Sequence, residues 1–210
     1  MRMMRQALEN DVRNLATASG RCVGTPGHDA ARRYLLGRLS SLGLEPYHPL
    51  GFELPYRSAG QDFVNVLGRI PGKQPQLAPL LLGAHYDTAG AQPGADDNAA
   101  AVAILLAACE VLLAHSLERP VLLALFDAEE PPCFLSSAMG STVFYTQQRT
   151  EDIHCAIILD LVGHDVPVPG LEDLVFITGM ETDEGLAQIL QVPIQQLCEW
   201  SPRSTVMSAT

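Results

Sequence analysis

The side chains able to do chemistry are concentrated in three short stretches. "GAHYDTAGAQPGADDNAA" (83–100) carries His85, Asp87, Asp96 and Asp97; "LFDAEE" (125–130) carries Asp127, Glu129 and Glu130; "IILDLVGHD" (157–165) carries Asp160 and His164. So many acids gathered at one place repel one another unless cations hold them. An imidazole among carboxylates, with little sulfur, suits Zn²⁺, or Co²⁺ and Mn²⁺. Each fragment alone also has a structural explanation. Asp97 can cap a helix, and adjacent glutamates suit a solvated helix start. Asp160, at the end of an apolar run, is harder to dismiss, because a buried carboxylate needs partners. The weight lies in the conjunction and its order.

The elements around these residues supply a reason for convergence. Met4, Leu8, Val12 and Leu15 recur at helical spacing. "CVGTPGHDAARRYLLGRLSSLG" reads as a second helix, with Thr25 as cap, Pro26 in its first turn and Gly43 at its end. Residues 44–60, rich in Pro and Gly, read as irregular or edge structure. "DFVNVLGRI" (62–70) is a strand closed by the turn "PGK". Then strands 79–84, 121–126, 155–161 and 174–179 alternate with helices at 97–114, around 136–148 and at 182–191. Strands apolar throughout, separated by helices, predict an α/β fold: a mostly parallel, mixed central sheet with helices on both faces. Ligands bind such sheets beyond the carboxyl ends of the strands, which is where His85, Asp87, Glu129, Glu130 and Asp160 fall.

Composition narrows the function. The chain has 210 residues, 47% hydrophobic and 18% charged, enough for a sizeable core; no repeat or linker stands out, so residues 1–210 read as a single domain. Its net charge of −11 argues against nucleic acid and is compatible with cationic ligands. The five cysteines are scattered and lack a C-x-x-C pair, which disfavours a thiolate zinc site or a disulfide framework. Cys109 and Cys155 lie in apolar runs and read as small core residues. The amphipathic, charged start has no apolar core of a signal peptide, and no span suits a membrane. The expected location is the cytoplasm, or the periplasm or exterior if a leader has been removed.

The fragments "GAHYDT", "PGADDNAAAVAILL", "LFDAEE" and "IILDLVGHD", in this order, resemble the zinc aminopeptidases of peptidase family M28. Upstream, "GTPGHDAARRYL" and "DFVNVLGRIPG" look like the family's N-terminal pieces, so the resemblance covers residues 20–180 or thereabouts. It implies a zinc-exopeptidase-like fold and two zinc ions. His85 and Asp160 would bind one ion, Glu130 the other, and Asp97 both. Glu129 would be general base and then acid, and Asp87 would hold the His85 ring by its second nitrogen. The resemblance also implies a cis peptide at Asp97–Asn98. Peptides are the implied substrates; no nucleic acid or membrane partner is expected.

One departure stands out. The family supplies a further histidine ligand from a late "S-D-H"-like segment, and this sequence has "VMSAT" at 206–210 in that place. The expectation is an incomplete C-terminal part and one metal held better than two. His164 is a candidate substitute ligand, though a structural role fits it better; His28, His48, His115 and His154 read as surface or core histidines. Two other functions compete with an aminopeptidase. One is a glutaminyl cyclase of the same fold, for which "GATDSA" rather than "GADDNAA" would be expected. The other is a binding domain whose metal site has decayed.

Overall fold

The computed structural model describes residues 2–164, 176–179, 198–201 and 204–208. The chain divides into two units, Met1–Gly163 and His164–Thr210.

The first unit opens with helix α1 (Arg2–Leu15) and helix α2 (Pro26–Leu42). Thr25 caps α2 as its sequence predicts: its hydroxyl accepts the His28 N–H at 3.3 Å. Gly43, at φ +80°, ends it in the left-handed conformation, and Leu44 N–H returns to Leu39 O at 3.2 Å. Two edge strands follow, β1 (Glu45–Pro46) and β2 (Glu53–Ser58), both antiparallel to the long β3 (Gln61–Ile70). The proline-rich 44–60 stretch is thus edge structure.

Next come β4 (Leu80–His85), α3 (Ala101–Leu113), β5 (Val121–Phe126), the short helix α4 (Gly140–Val143) and β6 (Cys155–Ile158). The sheet runs β1-β3-β5-β4-β6, with β2 beside β3. β4 is parallel to both β5 and β6, whereas β3 is antiparallel to β5, so the sheet is mixed and its parallel half is the half that carries the acids.

β5 is buried along its whole length, with successive side chains entering different layers. Leu123 and Leu125 pack with Leu35 and Leu39 of α2 and Leu105 and Leu106 of α3. Ala124 and Phe126 pack with Phe144, Leu67 and Leu81 on the opposite face. Helices cover both faces, and an apolar run with no alternation is what two buried faces require.

Three boundaries differ from expectation. β6 stops at Ile158, where the Leu159 N–H to Gly83 O bond (2.9 Å) is the last to β4, so Asp160 lies beyond the strand. Asp97 does not begin a helix: Ala95–Ala100 form an irregular turn, with Asp97 and Asn98 outside helical φ/ψ, before α3 starts. The predicted 136–148 helix begins only at Gly140 and continues through a wider turn over Phe144–Gln148.

Cys109 is buried, and burial pushes its thiol up to about 12. Cys155, expected in the core, is only partly buried; among the described residues its strand β6 pairs with β4 alone. Among the described residues, no helix is long and apolar enough to cross a membrane.

In the second unit, β7 (Phe176–Gly179), β8 (Cys198–Ser201) and β9 (Ser204–Ser208) form an antiparallel sheet ordered β7-β9-β8. The predicted 182–191 helix lies outside the described residues.

Candidate metal centre

Strand register builds the site. His85 is the last residue of β4 and stands beside Phe126, the last of β5. The chain after β5 therefore brings Glu129 and Glu130 to the end of β4. On the other side Ile158 pairs with Gly83, so Asp160 emerges two residues later near His85. The fourth contribution, Asp97, comes from the irregular turn before α3.

His85 is the hub. Its Nε2 lies 3.0 Å from Asp97 Oδ1, 3.6 Å from Asp160 Oδ1 and 3.8 Å from Glu129 Oε2. Ligand atoms of His85, Asp97 and Glu130 all lie within 4.8 Å of one another. The His85 side chain is 4% exposed, whereas Asp97 and Asp160 are 46% and 50% exposed, so the cluster has a buried floor and a mouth open to solvent. Behind it, Nδ1 of His85 is 3.3 Å from Asp87 Oδ1. Asp87 also accepts the backbone N–H groups of Glu129 (3.1 Å) and Glu130 (3.0 Å).

The electrostatics show what this arrangement favours. Burial alone lowers the His85 pKa. Hydrogen bonds with Asp160 and Asp87, and the charges of Asp87 and Glu129, override burial and push it up to about 10. Glu129 and Glu130 are raised, first by burial and then by neighbouring carboxylates, with Asp160 foremost for Glu129 and Asp97 for Glu130. All three shifts favour added positive charge, which is the property of a cation site.

The donor set fits a divalent metal: one buried imidazole nitrogen faces carboxylate oxygens, and its other nitrogen is held by a carboxylate. His85, Asp97 and Glu130 come together as expected, with Glu129 and Asp160 beside them. His164, weighed as a substitute ligand, is exposed and begins the second unit.

Asp127 departs from the acidic cluster. It is fully buried and turned inward, where Oδ1 meets His28 Nε2 at 2.8 Å and Oδ2 accepts the Val64 N–H at 2.7 Å. His28 stacks on Tyr86 with ring centroids 5.1 Å apart. Asn65, in mid-β3, accepts the Asp127 N–H and donates to Gly140 O, fixing the start of α4. Asn98 Nδ2 donates to Leu159 O at 3.0 Å, and Asp96 Oδ1 accepts the Gly163 N–H at 2.6 Å, so the turn before α3 holds the segment that carries Asp160. The Asp97–Asn98 peptide is cis, as the resemblance implies, and Pro131–Pro132 is cis as well.

Sequence reasoning missed Arg21. It is 1% exposed, and burial lowers its pKa to about 10 against the opposing charges of Asp87, Asp97 and Glu130. Its place just upstream of the recognisable "GTPGH" was the only local signal.

Among known proteins, the uncharacterized protein YfbL of Escherichia coli (strain K12) is 34% identical over 102 residues, which are 45% of this chain and 31% of that protein. Two solved structures from Bacteroides thetaiotaomicron share the fold. A glutaminyl cyclase bound to N-acetylhistamine has a TM-score of 0.66 at 21% identity, over 89% of this chain and 69% of its own. A leucine aminopeptidase precursor has a TM-score of 0.63 at 21% identity, over 81% of this chain and 64% of its own. The chain thus spans about a third of that curated relative and some two thirds of those structures. The model of peptidase family M28 matches residues 65–200, a segment that begins inside β3 and takes in every residue of the cluster. With well over half its length so matched, the chain belongs to peptidase family M28.

Proposed function

We propose that this protein is a zinc-dependent exopeptidase that removes N-terminal residues from peptides. The observation that carries the reading is the convergence of His85, Asp97 and Glu130 within 4.8 Å at the carboxyl ends of parallel strands. In this reading those three residues and Asp160 hold the metal. A divalent cation bound there supplies a polarised carbonyl and a water acidic enough to be deprotonated near neutral pH.

The chain's own residues do the rest. Glu129, 3.8 Å from His85 Nε2 and 24% exposed, faces both the ligand cluster and solvent. Its carboxylate takes the proton of the attacking water as the oxygen adds to the peptide carbonyl. It returns that proton to the nitrogen as the C–N bond breaks, so the amine leaves neutral. Asp87 accepts the Nδ1 proton of His85, which keeps the Nε2 lone pair turned to the ligand side. Through the amides of Glu129 and Glu130 the same carboxylate sets where the base and a ligand begin.

The test is turnover of aminoacyl nitroanilides and of a free peptide, compared with its N-acetylated form and with a peptide beginning in Gln. Zinc-dependent release of single residues from the free N-terminus alone supports the proposal. Ammonia release with peptide length retained makes the protein a cyclase instead. No turnover on any of them with zinc bound points to a binding domain.

A further inference from the structure

We propose that Arg21 is a positioning residue of the metal centre: it grips the backbone on both sides of the acidic loop and so holds Asp97 against His85. The inference rests on the metal-site reading above. All five guanidinium N–H groups are used, and all on carbonyls. Nε donates to Tyr86 O (2.7 Å), Nη1 to Leu15 O (2.9 Å) and Pro93 O (2.7 Å), and Nη2 to Gly94 O (3.0 Å) and Asp97 O (3.5 Å). The Arg21 backbone N–H donates to Thr88 Oγ1 at 2.7 Å.

Leu15 O ends α1, and the other four acceptors lie in one loop. Tyr86 lies between His85 and Asp87, and Pro93, Gly94 and Asp97 form the return of the same loop. One planar fork therefore joins the exit of β4 to the turn that presents Asp97, across the 3.0 Å gap between His85 Nε2 and Asp97 Oδ1.

The loop is shaped to admit this arginine. A Cβ on Gly94 would stand 2.4 Å from Asp97 O and 2.8 Å from Arg21 Nη2. A Cβ on Gly20 would stand 2.7 Å from the carbonyls of Gly90 and Gln92. Both glycines also have positive φ, at +64° for Gly20 and +61° for Gly94. A structural arginine could be satisfied by any carbonyls; four of these five lie within four residues of His85 or Asp97 along the chain.

Charge and position make opposite predictions. Removing a positive charge near a cation site strengthens cation binding by Coulomb's law alone. Removing a clamp weakens it, by about 10- to 100-fold where an outer partner orients ligands. The experiment titrates Zn²⁺ into the full chain against a competing chelator and records the visible spectrum with Co²⁺. It compares the parent with Arg21→Lys and Arg21→Met, fold being checked by circular dichroism.

Both variants are expected to bind at least about tenfold more weakly and to shift the Co²⁺ bands, because Lys keeps the charge but cannot span five carbonyls. Gly94→Ala and Gly90→Ala give an independent pair. Each strains a positive φ, but only the Gly94 Cβ strikes the clamp, since nothing lies within 4 Å of the Gly90 Cβ. Gly94→Ala is therefore expected to lose affinity relative to Gly90→Ala, including where the Arg21 variants do not fold. Parent-like or tighter binding in folded Arg21→Lys overturns the proposal, as do equal affinities in the glycine pair or a pair too unstable to bind. A parent chain that binds no ion overturns the metal-site reading itself.

Discussion

The carboxylate of Asp87 joins the imidazole of His85 to the backbone of Glu129. Oδ1 stands 3.3 Å from His85 Nδ1 and accepts the Glu129 N–H at 3.1 Å, and Oδ2 accepts the Glu130 N–H at 3.0 Å. A single 1%-exposed side chain thus couples the ends of β4 and β5. The β4–β5 register sets the two strand ends side by side, and this one group fixes the imidazole and the glutamate backbone on them.

Asp87→Asn tests that coupling. An amide can keep one acceptor, but its NH₂ must then face a backbone donor or the ring nitrogen. The fold should survive, with a loss of about 1–3 kcal/mol for the unsatisfied donor. Zinc affinity should fall about 10- to 100-fold, read by chelator competition. Parent affinity in the variant would detach Asp87 from the site.

Glu129→Gln separates proton movement from metal holding. The amide keeps the size of the side chain and cannot accept the water's proton. Turnover should drop by about 10²–10⁴, while zinc content after dialysis stays at the parent level. Loss of metal along with activity would instead make Glu129 a ligand.

Much of this was legible in the sequence, and the reason is local. β4 and β5 announce themselves as apolar runs, Thr25 and Gly43 mark the ends of α2, and the acids follow their strands directly. What was not legible depends on contacts between distant segments. Asp127 sits one residue beyond β5 yet turns inward, because His28, 99 residues away, waits to receive it. Arg21 reads as an ordinary basic residue until carbonyls 65 to 76 positions on fold around it beside Leu15 O. Asp97 falls outside a helix because Gly94 and the following turn, not helix propensity, set its backbone.

His28→Ala should be costly despite lying outside the metal centre. Asp127 is 0% exposed and would lose its His28 partner at 2.8 Å while keeping the backbone N–H groups of Val64 and Ala128. Leaving a buried acceptor without its partner costs about 1–3 kcal/mol, and the stack on Tyr86 goes with it. Equilibrium urea unfolding should show that loss. A change under about 1 kcal/mol would mean that the site relaxes or admits water.

Metal binding should depend on pH through His85. Its pKa rises from 6.5 to about 10 in the metal-free fold, where Asp160 and Asp87 hold the imidazolium against the cost of burial. That stabilisation is complete below pH 6.5 and disappears as pH climbs through 10, so the metal-free protein should melt at progressively lower temperature across this window. Glu129 and Glu130, also raised, act in the same direction at lower pH. A metal ion takes the place of the His85 proton, because only the neutral ring can be a ligand. Apparent zinc affinity should therefore increase about tenfold per pH unit while the ring is protonated. Calorimetry in two buffers of different ionisation heat should count about one proton released per ion. The metal-saturated protein should show no such fall in melting temperature. Affinity that stays flat between pH 6 and 8.5, with no proton released, would show that His85 does not exchange its proton for a metal.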